Sequence, residues 1–130
     1  MSVDTFDPRA LEKNMDEAAV RDLCVIADAF SGDSLTLSEL EVARFAPLAT
    51  HPEWADRVDQ LDDATLVGLI KVFTLGEMQY SSWFAGDKSP VVVMVRALKQ
   101  RKLFNAELTQ WIKAHTTNKF LPHGNLMDRL

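Results

Sequence analysis

The chain has 130 residues, of which 47% are hydrophobic and 25% charged, with a net charge of −5 and one cysteine. These values are typical of one globular domain and exclude a disordered or collagen-like chain. A lone cysteine, Cys24, excludes an internal disulfide and a cysteine-rich zinc site. The acidic N-terminus lacks the apolar stretch of a secretory signal, and no apolar run approaches the roughly 20 residues of a membrane span. We therefore expect a cytoplasmic protein that does not enter a membrane.

Charge is distributed unevenly along the chain. Residues 1–65 contain fifteen acidic and five basic residues, a net of −10, whereas residues 66–130 contain four acidic and nine basic residues, a net of +5. Such a split can indicate that the two halves attract each other or that one of them meets a charged partner. The alternative is that the halves pack together and that the charges are ordinary solvated faces.

Helical signals occupy the first third of the chain. Asp7–Pro8 is typical of a helix start, with a capping acid followed by proline. Apolar residues at helical spacing predict a helix over Asp16–Phe30. Thr36 and Glu39 have the spacing of a capping box and predict a helix over 37–46, ended by the following proline.

The middle of the chain contains the longest predicted helix. Thr50 and Glu53 have the spacing of a second capping box, which predicts a helix that includes Trp54. Asp62 then caps a helix over about 63–84. Its apolar residues cover most of the circumference, as is typical of a central, buried helix.

The last third predicts two further helices and a tail. Ser89–Pro90 restarts the helical pattern, which ends in a run of cations near residue 102. Asn105 caps a final helix that ends near His115. The fold class is therefore all-α: a compact bundle of five to seven helices around the central helix at about 63–84. Residues 1–130 form one domain, with 119–130 as a C-terminal tail strapped on the core.

One carboxylate is the strongest candidate for a functional group. Glu77 lies within the apolar arc of the central helix, where a carboxylate needs hydrogen-bond partners, a shifted pKa or a bound cation. It would be the polar anchor of a ligand pocket formed with Phe73, Tyr80 and Trp83. The alternative is that neighbouring helices satisfy Glu77 and that its role is structural.

Aromatic residues in the loops are the second candidate. Large apolar side chains in a loop either pack on the core or contact a partner. One interpretation has the tail packed across the last helices in a single cluster. The other is an exposed patch for binding or dimerisation. The residues concerned are Trp83, Phe84, Trp111, Phe120 and Leu121.

Four cations lie close together in the second half, at Arg96, Lys99, Arg101 and Lys102. A helix that carries several cations in this way can bind the phosphate backbone of a nucleic acid. The sequence pI of about 5.1 argues against this interpretation, since nucleic-acid-binding domains are usually basic. The alternative is a solvated helix end or a surface that meets the acidic first half.

Catalytic and metal signals are weak. No nucleotide-binding, zinc-protease or serine-hydrolase motif occurs, and His51, His115 and His123 lack the spacing of a metal site. We therefore predict no metal and no cofactor, and the sequence leans away from an enzyme.

These observations lead to one main hypothesis and two alternatives. The main hypothesis is a non-enzymatic helical interaction module that forms a homo-oligomer or binds a protein partner. The first alternative is a small-molecule-binding or catalytic domain with Glu77 as its buried anchor. The second is a nucleic-acid-associated regulator that acts through Arg96–Lys102.

Overall fold

The computed structural model describes residues 15–123, and the regular structure in that range is entirely helical, which confirms the all-α prediction. Three short 3₁₀ turns, at Val58–Gln60, Ser81–Trp83 and Gly86–Lys88, connect the helices. The predicted helix start at Asp7–Pro8 and the tail beyond residue 123 lie outside the described residues. The helices are α1 (Glu17–Ala29), α2 (Glu39–Ala49), α3 (Trp54–Arg57), α4 (Asp63–Gln79), α5 (Pro90–Gln100) and α6 (Ala106–His115).

Helix α4 is the centre of the bundle, as the sequence predicts. Eleven of its 17 residues are buried, and α1, α5 and α6 all pack against it. It is shorter than predicted, because it ends at Gln79 rather than at residue 84. Tyr80 adopts an extended conformation, which redirects the chain so that Trp83 packs back on α4.

Side-chain caps fix where the helices begin. Asp16, Asp62, Ser89 and Asn105 each accept a hydrogen bond from a backbone N–H in the first turn of the helix that follows. Each cap satisfies a donor that would otherwise lack a partner. The predicted starts at Asp62, Ser89 and Asn105 are confirmed.

The predicted start of α2 is wrong by two residues. The capping box is formed by Ser38 and Glu41, not by Thr36 and Glu39. The backbone N–H of Glu41 donates to Ser38 Oγ at 3.1 Å, and the N–H of Ser38 donates to Glu41 Oε1 at 2.9 Å. Both residue pairs have the required spacing, so the pattern alone does not distinguish them.

The end of α2 and the start of α3 also differ from the prediction. Helix α2 continues through Pro47 to Ala49. Burial of Leu48 and Ala49 offsets the free-energy cost of the backbone hydrogen bond that is lost at the proline. Thr50 is the C-terminal cap of α2, and no side chain caps α3. Glu53 instead accepts a hydrogen bond from the N–H of Met15 and pairs with Arg57.

The segment after α6, residues 116–123, packs on the core. We call this segment the strap. Leu121 is fully buried, and Thr116 and Asn118 are buried as well. The described part of the predicted tail therefore covers the bundle.

Within residues 15–123, ion pairs join the acidic and basic halves of the chain at two places. Arg101 pairs with Asp63, and His115, when protonated, pairs with Asp33. Three acids of the first half pair within that half: Asp22 with Arg44, and Glu17 and Glu53 with Arg57. None of the helices between residues 15 and 123 has both the length and the apolar content that crossing a membrane requires.

Helices α1 and α4 approach most closely at Gly68. A Cβ at this position would lie 2.3 Å from the carbonyl oxygen of Ala27, which is far inside van der Waals contact. Only glycine therefore allows the two backbones to meet.

We expect Gly68→Ala to lower the free energy of unfolding by about 2–3 kcal/mol, because the added methyl group must push α1 away from α4. Urea denaturation measures this change. Gly32→Ala is the control: its Cβ would meet nothing within 4 Å, but the residue has a φ of +90°, so only backbone strain of about 1 kcal/mol is expected. If Gly68→Ala loses no more unfolding free energy than Gly32→Ala, the close approach of α1 and α4 at Gly68 is contradicted.

Candidate functional site

Glu77 lies in the last turn of α4 and is only 3% exposed, as its place in the apolar arc predicts. Three neutral donors approach its carboxylate. Ser89 Oγ donates to Oε2, the backbone N–H of Ala85 donates to the carboxylate, and Asn118 Nδ2 lies 3.5 Å from Oε1. The carboxylate therefore joins α4 to the start of α5 and to the strap.

The donors are themselves tied to the surrounding backbone. Ser89 Oγ accepts a hydrogen bond from the N–H of Val91, and Asn118 Nδ2 also donates to the carbonyl of Gly86 at 3.0 Å. We call Glu77, Ser89 and Asn118 the Glu77 cluster. Because the cluster joins three segments distant in sequence, it stabilises their relative positions.

Burial raises the pKa of Glu77 to about 7. Removal from water disfavours the charged form, and the hydrogen bonds from Ser89, Ala85 and Asn118 only partly offset this effect. Among residues 15–123, no cation contributes to the pKa of Glu77. Glu77 is therefore an acid that changes its charge near neutral pH while inside the fold.

The aromatic residues predicted to line a pocket with Glu77 are close to one another. The ring centroid of Trp83 lies 5.9 Å from that of Phe73 and 5.4 Å from that of Tyr80. Trp83 is fully buried, and its Nε1–H donates to the carbonyl of Val42. A Cβ at Gly76 would lie 2.2 Å from the Trp83 ring, so the indole occupies the space that this glycine leaves. This arrangement fills the region with core side chains, and a ligand there stays a prediction.

The five residues predicted as an interface lie in different environments. Trp83 and Leu121 are fully buried, so neither is available to a partner in this conformation. Their burial agrees with the alternative in which the loops and tail pack on the core. Phe120 and Trp111 are half-buried, and Phe84 is 53% exposed.

Trp111 is held by a surface cluster of its own. Its ring stacks on His115 with centroids 4.1 Å apart, and Lys71 Nζ lies 5.3 Å from the ring centroid. Its Nε1–H donates to Asp33. These contacts link α6 to α4 and to the loop after α1.

The four cations predicted for nucleic-acid binding do not form one free surface. Arg101 donates to Asp63 and to the carbonyl of Val58. Lys99 contacts His123 and lies over the ring of Phe104. Arg96 and Lys102 are exposed.

Sequence reasoning missed a surface on α2. Leu40 is 84% exposed, the most exposed large hydrophobic side chain among the described residues. Beside it lies an open groove of about 520 Å³ between α2 and the 80–82 turn, which we call the α2 groove. The available signal was Leu40 itself, a large apolar residue outside the inward-facing side of the predicted helix. The groove is lined by Leu37, Glu39, Val42, Ala43, Ala46, Tyr80 and Ser82.

The remaining candidate groups show no arrangement typical of catalysis. Burial and the nearby Asp28 raise the pKa of the Cys24 thiol, which disfavours the reactive thiolate. Across residues 15–123, no group of three or more His, Cys, Asp or Glu side chains converges to hold a metal ion.

Comparison of the chain with family models, with curated proteins and with solved structures found no match.

We expect Glu77 to make the protein less stable as the pH rises. The pKa of Glu77 is higher in the folded state than in the unfolded state, so the folded protein binds the proton more tightly. The stability that this proton contributes is lost as the pH rises from about 4.5 through 7. Between pH 5 and pH 8 the wild-type protein should lose about 2–3 kcal/mol of unfolding free energy relative to Glu77→Gln.

Urea denaturation of both proteins across this pH range measures the difference. Glu107→Gln, which removes an exposed carboxylate, controls for the change in net charge. If the difference in unfolding free energy between wild type and Glu77→Gln is the same at all pH values, the raised pKa of Glu77 is contradicted.

Proposed function

We propose that the protein is a helical interaction module that catalyses no reaction, and that a second copy of the chain docks on the outer face of α2. The observation that carries the proposal is the exposure of Leu40 beside the α2 groove. A leucine that is 84% exposed gains free energy when a partner covers it.

The composition of this face supports a docking role. The exposed residues of α2 include Leu40, Ala43 and Pro47. Because Ala43 and Pro47 have small side chains, a second helix can approach this face closely. The α2 groove adjoins them and offers an apolar recess. Leu40 of one copy is a suitable side chain for the recess of the other.

Charges at the edge of this face favour a second copy of the chain over a partner whose surface is only positive or only negative. Glu39 and Arg44 are both exposed on α2, and Arg44 also pairs with Asp22 of α1. A two-fold interface brings the same patch together from both copies, so a patch that contains both signs can be complementary to itself. Opposite charges there orient the association more than they strengthen it.

The size of the face predicts a weak, reversible complex. Eleven residues of α-helix span about 16 Å. A stable interface usually buries about 800 Å² on each partner, more than one such helix supplies. We therefore expect dimers only at high protein concentration.

The Glu77 cluster supports the non-catalytic part of the proposal. Glu77, the acid most suited to chemistry by its pKa, bonds Ser89, Ala85 and Asn118 within the fold. Its interactions therefore serve the packing of the bundle.

Sedimentation equilibrium from about 10 μM to about 1 mM tests the proposal. The weight-average mass of the wild-type protein should rise with concentration towards twice 14.6 kDa. Leu40→Glu should remain monomeric, because it places a charge in the interface. Val25→Glu changes a 63% exposed residue on α1 and should still dimerise.

Circular dichroism establishes that both variants are folded. A wild-type mass that stays at one chain over the whole range would overturn self-association. Equal dimerisation of the wild type and Leu40→Glu would place the interface elsewhere.

A further inference from the structure

A cleft of about 300 Å³ lies between α4 and α6, and we call it the α4–α6 cleft. Its volume is at the lower end of the range for small-molecule sites. Val67 and Lys71, one turn apart on α4, line one side of it, and residues between 103 and 111 line the other. It shares no lining residue with the α2 groove or with the Glu77 cluster.

Four of the side chains that line the cleft are apolar: Val67, Leu103, Leu108 and Trp111. Leu103 is 46% exposed, so a ligand that covers it gains free energy. The Trp111 ring is already held in place, because it stacks on His115 and its Nε1–H donates to Asp33. The cleft therefore presents an ordered apolar surface to a compact apolar group.

Two opposite charges line the same cleft without pairing with each other. Lys71 is half-buried, and its Nζ lies 5.3 Å from the centroid of the Trp111 ring. Glu107 is exposed in the first turn of α6. Within the described part of the chain, neither Lys71 nor Glu107 forms an ion pair. Both charges can therefore meet the charges of a ligand.

Asn105 adds a neutral donor to the lining of the cleft. Its Oδ1 accepts a hydrogen bond from the N–H of Leu108 at 2.8 Å, which fixes the orientation of the side-chain amide. Its Nδ2 donates to no acceptor between residues 15 and 123. A carboxylate in the cleft thus has two donors on the lining, Lys71 Nζ and Asn105 Nδ2.

We propose that the α4–α6 cleft binds the zwitterion of a free α-amino acid with a large apolar side chain. Lys71 binds the carboxylate, Glu107 binds the ammonium group, and the apolar side chain packs on Trp111 and Leu103. A ligand with a single charge meets one like charge on the lining, whereas a zwitterion is complementary to both. The site goes beyond self-association at α2, and neither requires the other.

NMR titration of the full chain with L-phenylalanine tests the proposal. The chain has three tryptophans, and the indole N–H signal of Trp111 should shift until the site is saturated. The signals of Trp54 and Trp83 should stay in place. Both of these indoles are fully buried, and their N–H groups donate to the carbonyls of Leu48 and Val42. For a ligand of about 12 non-hydrogen atoms we expect a Kd on the order of 1 mM.

Two analogues of phenylalanine separate the contributions of the two charges. 3-Phenylpropanoate lacks the ammonium group, and 2-phenylethylamine lacks the carboxylate. Because each analogue loses one partly exposed ion pair, each should bind the wild-type protein roughly three- to fivefold more weakly than phenylalanine. Equal affinity for all three compounds would overturn the zwitterion assignment.

Substitutions assign each charge to its side chain. Lys71→Gln should weaken the binding of phenylalanine roughly three- to fivefold without weakening that of 2-phenylethylamine. Glu107→Gln should do the same for phenylalanine without weakening 3-phenylpropanoate. Lys113→Gln removes an exposed cation of α6 outside the cleft and should keep the wild-type affinity.

The titration also separates this site from self-association. Leu40→Glu should bind phenylalanine as the wild type does, even though it is monomeric. An unshifted Trp111 signal at about 20 mM phenylalanine, well above the expected Kd, would overturn the proposal. So would equal affinity of the wild type and Lys71→Gln, or shifts of Trp54 and Trp83 as large as that of Trp111.

Discussion

The whole bundle depends on the burial of α4 on nearly all sides. With eleven of 17 residues buried, this helix provides the surface on which α1, α5 and α6 pack. Close packing around one helix requires small residues where neighbours approach, and Gly68 and Gly76 meet this need. Close packing also means that a polar group on the helix costs free energy to bury unless it is hydrogen-bonded. Glu77, the charged residue buried on α4, therefore determines how its neighbours are arranged.

Local sequence patterns predict much of this architecture. The caps at Asp62, Ser89 and Asn105 act through contacts within one turn, so the sequence alone locates them. Errors arise where two local patterns compete or where packing decides. The capping box at Ser38 competes with one at Thr36, and the end of α4 depends on Trp83, which packs back on the helix from outside it.

The candidate site is predictable only in part. Periodicity places Glu77 on a buried face, and the structure confirms this position. Its partners Ser89 and Asn118 lie 12 and 41 residues away along the chain, and no periodic pattern links them to Glu77. The exposed surface of α2 was missed because hydrophobic periodicity identifies the face that packs inward, whereas Leu40 lies outside it.

The packing of Trp83 on Gly76 also has an evolutionary consequence. The indole fills space that even a methyl group at position 76 would occupy, so the two positions cannot both carry large side chains. Substitutions at these sites should therefore be coupled during divergence. A homologous chain with alanine or serine at position 76 is expected to carry a smaller residue at position 83, and with it a different course for the loop that leads to α5.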